Sequence, residues 1–186
     1  MAIKTFTTGE VLTASDTNTY LANSGLVYIT SGAMSSSTPI DGIFTSTYDN
    51  YRIVIANLGA TAGGLLNWNY RTTSNTTESA NNYYSAVRRY DNGTNYDFSQ
   101  GPNTYGTPGV NVSTSNFGAV AIDFISPRLA TRTTAIFTGI GQISQISSVQ
   151  GSVLFNDTTQ FAGIIFSLSA NTINNGTYTV YGYRKA

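Results

Sequence analysis

The 186 residues carry nine basic and nine acidic side chains, so the formal net charge is zero, and charged residues make up 10% of the chain against about 25% in ordinary domains. Cys and His are both absent, which excludes disulfides, thiolate and imidazole metal centres and any nucleophile activated by a histidine base. Charge neutrality argues against a nucleic-acid or anionic-lipid partner, no run approaches the roughly 20 apolar residues of a membrane span, and the opening residues do not read as a secretory signal.

The first 24 residues differ from the rest. Residues 13–22 predict a short helix or helical turn. Thr13 would cap it and Asp16, three positions on, would return a bond to the cap residue and sit at the positive end of the dipole. Phe6, Val11, Leu12, Asp16, Tyr20 and Leu21 are the candidate contact residues of this arm, which packs either on its own body or on another protein.

The body, residues 25–186, alternates strand patterns with turn chemistry. Leu26, Val27, Tyr28 and Ile29 open it, residues 31–42 read as a loop, and Phe44 and Tyr48 precede the turn Asp49-Asn50. That turn has one acid, too few to specify a calcium site. Residues 51–58 are the clearest strand. Tyr51, Ile53, Ile55 and Asn57 point one way, and Arg52, Val54, Ala56 and Leu58 the other. Apolar groups on both sides place it inside a sheet, with one side available to another subunit. Gly59 to Gly64 is a turn that lacks the Lys and context of a phosphate loop. Leu66, Trp68 and Tyr70 then share a core-directed face, opposite Asn67, Asn69 and Arg71. Residues 72–82 form an exposed excursion, residues 83–90 a strand or short helix, and residues 91–109 the longest irregular stretch. Further strands are predicted over 117–125 and 131–139, around 151–155, and over 161–168 and 177–183, with Asn175-Gly176 as the strongest turn signal. Short strands between turns, without long amphipathic helices, predict a mainly β protein. The expected form is an antiparallel β-sandwich, jelly-roll-like, in one domain, with its two end strands as candidates to pair.

Three groups of side chains are candidates for a site. The carboxylates Asp41, Asp49, Glu78, Asp91, Asp97, Asp123 and Asp157 could in principle support glycoside hydrolysis without His. Most stand beside turn residues, where capping is their ordinary use, and no catalytic, cofactor-binding or metal-ligating residue is assigned. Asp123 interrupts an apolar run and has Arg128 and Arg132 nearby as ion-pair partners, the alternative being a solvated sheet face. Tyr83, Tyr84, Arg88, Arg89, Tyr90, Tyr96, Phe98 and Tyr105 form the aromatic and basic group with most binding potential. Subunit interface, domain packing and contact with a glycan or other host ligand all remain open for it.

A resemblance adds direction. Residues 6–21, Phe-Thr-Thr-Gly-Glu-Val-Leu-Thr-Ala-Ser-Asp-Thr-Asn-Thr-Tyr-Leu, resemble the opening of many tailed-phage virion proteins. Phe44-Thr45-Ser46-Thr47-Tyr48-Asp49-Asn50-Tyr51-Arg52-Ile53, Ile122-Asp123-Phe124-Ile125-Ser126-Pro127 and Thr177-Tyr178-Thr179-Val180-Tyr181-Gly182-Tyr183-Arg184 are similar to recurring pieces of a related group. The resemblance implies a non-enzymatic virion protein, either a tail fibre, tail tip or other host-facing appendage, or a capsid decoration protein. Its partners would be itself, as a homotrimer, other virion proteins and a host-surface glycan or protein. It would assemble in the host cytoplasm without nucleic acid or membrane insertion. Under this reading residues 1–24 are the attachment arm, and Tyr51, Ile53, Trp68, Val120, Ile122, Ile164, Phe166 and Val180 are core residues of the body.

Overall fold

Alternation of apolar and polar side chains becomes strand after strand in the computed structural model, which describes residues 7–11, 13, 25–35, 39–91, 93–115, 117–142 and 144–184. The strands are β1 (Leu26–Ala33), β2 (Pro39–Ile40), β3 (Asn50–Ala60), β4 (Gly64–Thr72), β5 (Tyr83–Asp91), β6 (Thr94–Asn103), β7 (Asn111–Val112), β8 (Gly118–Ile125), β9 (Thr133–Gln142), β10 (Ile146–Phe155), β11 (Phe161–Leu168) and β12 (Ile173–Tyr183). The expected arm helix, and with it Phe6, Leu12, Asp16, Tyr20 and Leu21, lies outside the described residues, whereas Val11 is described and 78% exposed.

Two antiparallel sheets of unequal width face each other. The larger runs β1-β12-β3-β8-β9-β10-β5-β6 and the smaller β2-β11-β4-β7. The two end strands pair as expected, from Leu26 opposite Tyr183 to Ala33 opposite Thr177. Burial follows the pleat: on β8, Val120, Ile122 and Phe124 face inward while Ala119, Ala121 and Asp123 face out. All eight predicted core residues are buried, none more than 3% exposed. An aromatic cluster joins the layers. The Tyr70 ring stacks on Phe161 at 4.4 Å and on Tyr83 at 5.7 Å, and meets Phe124 edge-on at 5.9 Å. The Tyr83 hydroxyl accepts the Tyr70 backbone N–H at 2.9 Å, and burial pushes its pKa well above the ordinary tyrosine value.

Two predicted details are corrected by bulges. Strict alternation puts Leu58 on the face of Arg52 and Val54, but it is fully buried and Asn57 is exposed. Asn57 takes a φ of 52°, the pairing of β3 with β8 shifts between Ile55 and Leu58, and the extra residue rolls Leu58 into the core. Asn175-Gly176 likewise makes a bulge inside β12 rather than a hairpin turn. Asn175 Nδ2 donates to the Asn57 carbonyl at 3.3 Å, so the two irregularities lie against each other.

Candidate functional site

The β5–β6 hairpin sorts the aromatic and basic group by the two-residue period of the strand. Tyr83 is fully buried in the core and is no surface contact, which corrects the expectation for it. Tyr84, Arg88 and Tyr90 lie on the outer face, which no second layer of the described residues covers. Arg89 pairs across with Tyr96 and Val87 with Phe98, so Arg89, Tyr96 and Phe98 belong to the inner face. The single patch is therefore two. Residues 83–90 are strand, not helix, and the stretch 91–109 is not irregular throughout: it contains β6. Its readable signals were the Asn-Gly pair at 92–93 in the sequence, a pattern that favours a turn, and the alternation Asn95, Tyr96, Asp97, Phe98.

Eight strands against four leave the inner face near the β6 edge only partly covered, and there a cleft opens. Its walls are Leu65 and Asn67 of β4, Arg89 of β5, Phe98 and Gln100 of β6, and Tyr105, Thr107 and Ser169 from connecting segments. Its volume is about 220 Å³. Gly106 explains how the connecting segment reaches it. Its backbone bonds both ways with Trp68 at 2.9 Å, and a Cβ there would stand 2.8 Å from the indole. Gly106 thus presses on Trp68, while its neighbours Tyr105 and Thr107 turn to the cleft. Thr107 Oγ1 donates to the Leu66 carbonyl at 3.2 Å and accepts the Gly109 N–H at 3.1 Å. Ser169 Oγ accepts the Leu65 N–H at 3.0 Å.

Other polar groups in the cleft are not used up. Asn67 is only 5% exposed, yet no described residue hydrogen-bonds its side chain. Arg89 Nε lies 2.9 Å from Asp91 Oδ2, an ionic contact without hydrogen-bond direction, since Nε and Asp91 Oδ1 both lack a hydrogen-bond partner. Its guanidinium carbon sits 5.0 Å from the Tyr96 ring centroid. Of these residues, Arg89, Phe98 and Tyr105 are contacts expected from the sequence. Asn67 is legible only as a member of the polar side of β4, and Leu65, Gln100, Thr107 and Ser169 carry no local signal.

The outer face of the large sheet is a second candidate surface. Ile136 is 54% exposed, Val54 36% and Tyr28 59%, and an apolar groove runs between Val54, Ala121 and Ile140. Its charges neutralise one another. Arg52 Nε and Nη2 donate to the two Asp123 oxygens at 2.7 and 2.6 Å, and the Tyr183 hydroxyl adds a bond of 2.6 Å. Arg88 grips Asp97 in the same two-pronged way at 2.7 and 2.9 Å. The Asp123 pair corrects the expectation of Arg128 or Arg132. Asp123 stands directly opposite Arg52 in the register of β8 with β3, whereas Arg128 and Arg132 lie past the end of β8. Arg132 is exposed, and Arg128 Nη1 is buried without a partner.

Partial burial works to raise the Asp123 pKa, but the bonds from Arg52 and Tyr183 and the Arg52 charge outweigh it and hold the carboxyl below its usual value. A depressed folded-state pKa contributes stability above the unfolded value, about pH 4, and that contribution is lost as pH falls through the folded value. Asp123→Asn is therefore expected to cost about 1 kcal/mol at pH 7, a figure reduced for the solvent access of Arg52. It should also flatten the loss of stability below about pH 4. Urea unfolding at pH 7 and pH 3 measures both, and an equal deficit at the two pH values would contradict the assignment.

The remaining acids are also engaged. Asp41 holds Arg71 at 2.9 Å, Glu78 accepts the Ala80 N–H, and Asp157 accepts the N–H groups of Thr158 and Thr159. The Asp49-Asn50 turn is tied down by the Ser126 N–H, bonded at 3.1 Å to both the Asp49 carbonyl and Asn50 Oδ1. Among the described residues no group of three or more acidic side chains is placed to hold a metal ion. No protein-family model matches the sequence, and no curated protein matches it.

Proposed function

We propose that this chain is a non-enzymatic structural protein of a tailed-phage virion, carried on a tail fibre, tail tip or other exposed appendage and engaged in attachment to the host surface. The observation that carries the proposal is the outer face of the eight-stranded sheet, which is broad, has its charges paired within it, and is not covered by any other layer of the described residues. Such a face suits packing of copies against one another, and a chain with no net charge has little electrostatic resistance to it. In this reading copies join as a homotrimer, residues 1–24 attach to a neighbouring virion protein, and the β5–β6 end points outward. The resemblance of residues 6–21, 44–53, 122–127 and 177–184 to segments of virion proteins supports the setting. The cleft favours an appendage over capsid decoration, because a cement protein has no need of a ligand-sized opening.

Virions separated into heads and tails are expected to carry the chain in the tail fraction, and added free protein should reduce phage adsorption to host cells. Recovery in the head fraction alone would assign it to capsid decoration. Absence from both fractions would overturn the virion reading.

A further inference from the structure

We propose that the cleft between β4 and the β5–β6 hairpin binds one ring of an uncharged hexose at the end or in the middle of a glycan. The inference deepens the attachment reading by naming the ligand of its outward end. Asn67 is its starting point. Little of the residue is exposed, and its side chain lines the cleft and has no hydrogen-bond partner among the described residues, so its amide meets only the water of the cleft. An amide offers a carbonyl acceptor and two N–H donors side by side. Adjacent sugar hydroxyls, each able to donate and accept, match that pair.

The surroundings fit the same ligand. Phe98 and Tyr105 are half-buried and give apolar ring surface for the C–H side of a sugar, while Gln100, on the edge strand, supplies a second amide. Charge then selects within the class. Arg89, which lines the cleft, is in ionic contact with Asp91 at 2.9 Å and lies against the Tyr96 ring, so it brings no net positive charge to the cleft. A carboxylated sugar gains little there, and a neutral one loses nothing. The volume, about 220 Å³, falls below the roughly 300 Å³ at which pockets for whole drug-sized ligands begin. One ring fits, with the rest of the glycan leaving toward solvent.

The test is an NMR titration of the full-length protein with methyl glycosides of glucose, galactose, mannose and N-acetylglucosamine, and with methyl glucuronide and N-acetylneuraminic acid as charged counterparts. At least one neutral sugar is expected to saturate with a Kd of about 1 mM and to shift the side-chain amides of Asn67 and Gln100. Asn67→Leu, close in volume, should weaken it about tenfold or more. Gln100→Ala, on an exposed edge strand where the fold is not at risk, should weaken it about threefold. Response to the charged sugars alone, shifts confined to another surface, or no response to any sugar would each overturn the proposal. The two readings fail separately. A chain found on heads whose cleft still takes a hexose loses only the location, and a tail protein with an inert cleft loses only the ligand.

Discussion

Trp68→Ala is expected to destabilise the protein by about 3–5 kcal/mol, the usual range for emptying a buried indole site. Trp68 is the single tryptophan and is fully buried. It projects from the small sheet and meets Phe124 and Phe137 of the large one edge-on at 5.7 and 6.3 Å. The removed volume is bounded by two sheets whose strands are fixed by their ladders, so collapse around it is limited. The substitution also withdraws the surface on which Gly106 rests, which loosens the segment that turns Tyr105 and Thr107 to the cleft. Urea unfolding followed by far-UV circular dichroism measures the loss. A change under about 1 kcal/mol would mean that the layers are not joined through this ring.

The second large effect concerns assembly and leaves the fold intact. Val54→Lys with Ile136→Lys places two charges on the uncovered face, one on β3 and one on β9. Both positions are already partly open to solvent in the single chain, so protomer stability should change by no more than about 0.5 kcal/mol per site. In an interface the same charges would be buried without partners, at about 3 kcal/mol or more, or roughly a hundredfold in association. Sedimentation equilibrium should show the wild type at three times the 19.9 kDa protomer mass and the double variant as a monomer. An identical mass for both proteins would place self-association elsewhere or deny it.

The body was legible where a strand has one polar and one apolar side, or is apolar throughout. Leu66, Trp68 and Tyr70 on β4 announced their inward face by alternation, whereas β3, β8, β11 and β12 were legible as strands from their apolar content. What was hidden depended on partners. A bulge cannot be read from one strand, because the residue it displaces is defined by the opposite strand, hence the misplacement of Leu58. The Asp123–Arg52 pair spans 71 positions and needs the register of β8 with β3, so nearer arginines looked like better partners. β6 was obscured because its alternation is short, Asn95 to Phe98, and runs into the Gly101-Pro102 pair of an otherwise polar edge strand. The cleft itself follows from unequal sheet widths, a property of topology that no local pattern carries. Asn67 could be assigned its side of β4 but not the absence of a partner for its amide.

Residue-resolution reconstruction of the particle containing this chain bears most directly on the claim that copies assemble through the open side of the large sheet. The expected result is a trimer around a symmetry axis, with Ile136 and Val54 buried between protomers and the β5–β6 end directed away from the particle. Outer faces open to solvent in every copy would contradict it.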